Sequence, residues 1–117
     1  MHIEHADPCV DKGWYTWPGH ANGGIWIGYA HKGIDEPHVH AGIAETYLVA
    51  RGTAEIRIEK ETLSLRAGDM IVVEAGEAHT FLSSSPDYLH FVLHTRAPTG
   101  GAGRARKRLV SRERLGL

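Results

Sequence analysis

The order of apolar and polar side chains predicts short strands from Gly24 onward. In TAEIRIE, Ala54, Ile56 and Ile58 fall on one side of the chain and Glu55, Arg57 and Glu59 on the other. That period of two belongs to a strand with one buried face. GIWIGYAH alternates more loosely, and ETYLVARG, TLSLRAG, DMIVVEAG, AHTFLSS and YLHFVLHTR continue the theme. Turns fall at Arg51-Gly52, Gly68, Gly76 and Ser85-Pro86-Asp87. No helical period is visible before residue 100. Six or seven short strands joined by glycine-bearing turns predict an all-β antiparallel sandwich or small barrel.

The two ends differ from this middle. In residues 1–23, Pro8, Gly13, Pro18 and Gly19 interrupt the aromatic group Trp14, Tyr15 and Trp17, which predicts an irregular arm or a short edge strand over the core. Residues 24–97 form the expected body, and 98–117 a flexible basic tail. In that tail the spacer Pro98-Thr99-Gly100-Gly101-Ala102-Gly103 leads into GRARKRLVSRERLGL, expected to be disordered or to form a short helix on contact with a partner or subunit.

Composition narrows the function. A chain of 117 residues holds one core, and one of this size needs no metal for bulk stability. Residues 1–95 carry 6 basic and 13 acidic side chains, residues 96–117 carry 7 and 1. An acidic body repels polyanions, which argues against nucleic acid as a partner in spite of the tail. The single cysteine, Cys9, has no internal disulfide partner. No apolar run spans a bilayer, and the first residues lack the basic and apolar stretches of a secretory signal, so a soluble cytoplasmic protein without membrane partners is expected.

Nine histidines are the outlying feature. His38 and His40 are separated by one residue, so in extended chain their imidazoles point the same way, roughly 6.6 Å apart at the backbone. Two such groups suit one ion at metal to nitrogen distances of about 2.0 to 2.2 Å. Glu45 opens the next strand-like run, and His79 arrives on a strand of its own. Two imidazoles and a carboxylate suit non-haem iron, and a third imidazole leaves one or two octahedral positions open.

The wider spacing resembles that of the small single-domain cupins. The first cupin motif is matched by Gly33, His38, His40, Glu45 and Gly52, with the Gly33 to His38 spacer one residue short. The second is matched by Gly68, Gly76 and His79, with Glu74 at its proline position and Ser83 at its asparagine position. This resemblance, over about residues 24–95, implies an antiparallel double-stranded β-helix closed as a jelly-roll barrel. It implies that His38, His40, Glu45 and His79 hold a divalent metal, with iron, manganese, nickel and zinc all compatible. It also implies a homodimer, for which an unpaired strand edge gives the physical reason.

Around that centre, Tyr47 lies two positions beyond Glu45 and is expected to share its cavity as a proton donor or substrate contact. His90 and His94 share a face with Tyr88 and Val92. If that face lines the cavity, His90 is a candidate general base, although the opposite face of Leu89, Phe91 and Leu93 is the more natural one to bury. Tyr29 and His31, with Ile25 and Ile27, form a second candidate wall, and Trp14, Trp17 and Trp26 a cover. Parity places Arg51 with Tyr47, where a guanidinium would suit an anionic substrate. The expected function is a metal-dependent enzyme acting on a small polar organic substrate, with iron or manganese oxygenase chemistry preferred. The alternatives are an isomerase, epimerase or lyase, and a non-catalytic small-molecule binder.

Overall fold

The computed structural model describes residues 1–16, 25–33, 35–96 and 106–117. Among these residues lie ten strands: β1 (Lys12–Trp14), β2 (Trp26–Ala30), β3 (His38–Ala41), β4 (Ile43–Arg51), β5 (Thr53–Ile58), β6 (Glu61–Arg66), β7 (Met70–Val73), β8 (His79–Ser84), β9 (Leu89–Arg96) and β10 (Arg106–Leu109). A short 3-10 helix, Arg112–Leu115, follows β10. The strands form two five-stranded sheets, β1-β2-β9-β4-β7 and β10-β3-β8-β5-β6, in which every pairing is antiparallel.

The expected closed barrel is not formed. Each sheet ends in two edge strands, and no ladder joins one sheet to the other among the described residues, so the fold is an open, two-sheet, jelly-roll-like sandwich. Alternation along a strand reports which side chains point inward, and that is the same in a sandwich and in a barrel. Closure depends on backbone pairing at the edges, which the pattern does not encode.

The sheets meet over Tyr47, Val49, Ala54, Ile56, Leu65, Val73, Phe81, Tyr88 and Val92. The alternation in TAEIRI is realised, with Ala54 and Ile56 buried and Glu55 exposed. Gly52 makes the turn from β4 to β5 at φ 77°, and a Cβ there would run into Ser85, Asp87 and Tyr88. Both the left-handed backbone and the crowding therefore require glycine.

The terminal segments are built into the sheets. β1 is the edge strand foreseen for the N-terminal arm and pairs with β2, while Trp17 lies outside the described residues. Residues 106–109, expected as disordered chain or helix, instead form β10 and pair with β3. An edge strand offers unpaired backbone groups, and β10 satisfies those of β3. The helix after it is anchored by fully buried Leu115, whose carbonyl accepts from Arg57 Nε at 2.8 Å, and by the 3.0 Å ion pair of Arg114 with Glu59. No described helix is long and apolar enough to cross a membrane.

Candidate metal centre

The second sheet brings two of the sequence-derived histidines face to face: His38 on β3 is the direct cross-strand partner of His79 on β8. Both follow the same local design. His38 Nδ1 donates to the carbonyl of Glu36 at 2.7 Å, and His79 Nδ1 to that of Glu77 at 3.0 Å. With Nδ1 carrying the proton, each ring is fixed in the tautomer whose Nε2 lone pair is free to bind a metal. His40 lies two residues beyond His38 on the same face, and Glu45 reaches in from β4 in the opposing sheet.

All four groups are buried, and one ligand atom from each lies within 4.8 Å of all the others. Ligands about 2.1 Å from one ion are separated by about 3 Å when at right angles and about 4.2 Å when opposed. His40 Nε2 and His79 Nε2 stand 2.9 and 2.8 Å from Glu45 Oε1, the spacing of adjacent ligands. Yet Glu45 Oε1 and His79 Nε2 are buried without an aligned hydrogen-bond partner among the described residues. Their closeness is one of distance only, and buried polar atoms in this condition are costly. The donor set and its orphaned atoms fit a divalent cation, and the cluster can coordinate one.

The other carboxylate oxygen is held differently. Glu45 Oε2 accepts from the Tyr47 hydroxyl at 2.8 Å and lies 2.8 Å from His94 Nε2. Burial opposes ionisation of Glu45, but His40, His79 and His94 outweigh it and hold the carboxyl far below the usual range. Burial likewise disfavours a charged His79, while Glu45 raises its pKa. Burial and then His79 lower His38 to about 4. The Tyr47 phenol is pushed above its usual range by burial and then by the charge of Glu45.

A cavity of about 450 Å³ opens onto the cluster, and Tyr47, His90 and His94 line it. The expectation that β9 buries its leucine and phenylalanine face is overturned. Tyr88, His90, Val92 and His94 are buried, whereas Leu89, Phe91 and Leu93 are only half-buried on the outside. Partners explain the inversion: His94 meets Glu45, and the Tyr88 hydroxyl lies 2.6 Å from His90 Nδ1. Paired polar groups tolerate burial. Tyr29 also lines the cavity, but His31 turns aside to the carbonyl of Val10. Trp14 lines the cavity and sets its ring edge-on to His94 at 4.8 Å. Arg51 is not there; its Nε donates to the carbonyl of Asp87. The contact of His94 with Glu45 was missed in the sequence, although its shared parity with His90 was a signal.

Burial lowers His90 from 6.5 to about 4. The unfolded chain therefore binds a proton between these values that the folded chain refuses, and stability falls as pH drops through that window, by up to about 3 kcal/mol at its end. In metal-free protein His38 acts in the same direction, whereas the raised pKa of His79 acts above pH 6.5. Denaturant titrations of wild type and His90→Gln from pH 7 to 4 isolate the His90 part: the variant should show the shallower loss, and equal slopes would refute the assignment.

A family model described as a cupin domain matches residues 26–95. The chain belongs to the cupin family. No curated protein matches this cupin by sequence. Among solved structures it is similar to a conserved protein with a double-stranded β-helix domain from Klebsiella pneumoniae, at 25% identity over 74% of this chain and 73% of that one, TM-score 0.57. It is also similar to KdgF from a Halomonas species, at 19% identity over 85% of this chain and 91% of that one, TM-score 0.62. A chain from the crystal structures of the DMSP lyases RdDddP and RnDddQII matches at 24% identity over 74% of this cupin, TM-score 0.55, and the cupin spans 43% of that chain.

Proposed function

We propose that this cupin is a metal-dependent lyase or isomerase that moves protons on a small polar organic substrate. The observation that carries the reading is the lining of the cavity: proton-bearing side chains, Tyr47 and His90, stand around the same space as His38, His40 and Glu45, three members of the cluster that His79 completes from behind the wall. A divalent ion bound by those four residues would supply a Lewis acid for a substrate carbonyl or hydroxyl oxygen. Tyr47 then delivers or shares a proton from a hydroxyl already fixed by Glu45. His90 is kept neutral by burial, and in the tautomer whose Nδ1 donates to the Tyr88 hydroxyl its Nε2 would be the base. The mostly apolar wall of Val92, Phe81 and Trp14 limits water.

Acid–base groups facing the substrate space favour this reading over the oxygenase chemistry preferred from the spacing, for which the cavity offers no specific support. A volume of about 450 Å³ suits a small metabolite. The test is incubation of zinc-, nickel-, manganese- and iron-loaded protein with panels of small hydroxy and keto acids under labelled dioxygen, followed by mass detection. Products isomeric with the substrate, or fragments that sum to it, without label and at an unchanged rate under anaerobic conditions, are expected. Incorporated label or loss of turnover without oxygen would restore the oxygenase reading.

A further inference from the structure

The basic C-terminal segment reaches the cavity. Lys107 on β10 is the direct cross-strand partner of His40 on β3. Opposed residues of an antiparallel pair present their side chains to the same face, and Lys107 accordingly lines the cavity beside His40. The other sheet repeats the arrangement. Lys12 on β1 is opposite Ala30, Ala30 is opposite His90, and Lys12 also lines the cavity. Two exposed ammonium groups, carried by the edge strands of the two sheets, thus border one space.

No described carboxylate pairs directly with Lys12 or Lys107. Lys32, the third lysine at this mouth, is 3.6 Å from Asp11. Asp35 also lines the cavity and keeps its charge, but its Oδ1 is held by the Thr80 hydroxyl and the Phe81 amide, at 2.7 and 2.9 Å, and it pairs with neither Lys12 nor Lys107 within 4.0 Å. Glu45 is enclosed by imidazoles. Among the described residues neither Lys12 nor Lys107 forms an ion pair within 4.0 Å. The remaining segments add no acid, since residues 17–24, 34 and 97–105 contain no aspartate or glutamate. In a chain whose body is acidic, unpaired cations gathered at one concave mouth call for an anion from outside.

We propose that the substrate carries an acidic tail, carboxylate or phosphate, held by Lys12 and Lys107 while its reacting end faces the His38, His40, Glu45 and His79 cluster. This rests on the reading of the cavity as the substrate site and adds the class of substrate. It also gives the terminal strands a purpose: each sheet edge nearest the mouth is made by a segment that brings one lysine to it.

The test uses zinc-loaded full-length protein and calorimetric titration with glutarate, 3-phosphonopropionate and the monoamide glutaramate, all of which offer one carboxylate to the metal end. A diacid should bind about tenfold more tightly than the monoamide, a preference that weakens as salt rises, and the tighter of the two diacids names the tail. In Lys107→Met and Lys12→Met the preference should shrink severalfold and in the double variant vanish, with zinc content and circular dichroism unchanged, while Lys107→Arg retains it. A preference that survives in the double variant would overturn the assignment of the lysines and leave the lyase or isomerase reading intact. If wild type binds none of the three acids, the substrate cavity itself fails. Because binding is read without turnover, the two failures are separable.

Discussion

Glu45→Gln should abolish the stabilisation of the protein by divalent metal. A ligand that binds the folded chain alone, at a thousandfold excess over its dissociation constant, adds about 4 kcal/mol to stability, and zinc at that excess should raise the denaturation midpoint of wild type accordingly. In the variant a neutral amide replaces the one anionic member of the cluster, and the buried oxygen that now stands 2.8 and 2.9 Å from His79 and His40 loses its charge. Amide oxygen is a weak ligand for such ions, so affinity should fall by at least about a hundredfold. The metal-free protein should weaken too, because His40, His79 and His94 lose the carboxylate that they surround. Denaturant midpoints with and without zinc, together with elemental analysis, give both readings. A zinc-dependent shift of wild-type size in Glu45→Gln, with one metal still bound per chain, would remove Glu45 from the centre.

How this centre was legible follows from its residues. His38 and His40 share a face through strand parity alone, and the resemblance to cupins placed Glu45 and His79 with them. What brings His79 opposite His38 is the pairing of β3 with β8, a contact between segments about forty residues apart, which alternation within either segment cannot encode. The same limit explains the barrel that does not close and the strand formed by residues 106–109, since both depend on edge pairing. For β9 the difficulty was of another kind. Its two faces read as apolar and polar, and hydrophobicity alone favours burying Leu89, Phe91 and Leu93. The outcome was decided by partners on other strands, with Glu45 meeting His94, and by Tyr88 meeting His90 within the face itself. Lys107 had no signal at all, because its neighbour His40 is set by the register of β10 on β3.

Tyr47→Phe should separate chemistry from metal binding. The substitution removes one oxygen from a side chain only 4% exposed and keeps the ring that packs against Phe81 and His90. Glu45 Oε2 loses the phenol at 2.8 Å but keeps His94 Nε2 at 2.8 Å, so the carboxylate remains oriented toward the cluster. Stability should change by only about 1 kcal/mol and metal affinity by no more than about tenfold. Turnover, in contrast, loses the hydroxyl proposed as the proton donor, and positioned acid–base groups are worth about a hundredfold to ten-thousandfold. The expected result is a fall in kcat of that size with KM nearly unchanged and the zinc content intact, measured on whichever hydroxy or keto acid wild type converts. Equal falls in kcat and in zinc content would instead make Tyr47 a support for Glu45 alone. Wild-type kcat in the variant would exclude it from the reaction, leaving His90 as the remaining proton carrier at the cavity wall.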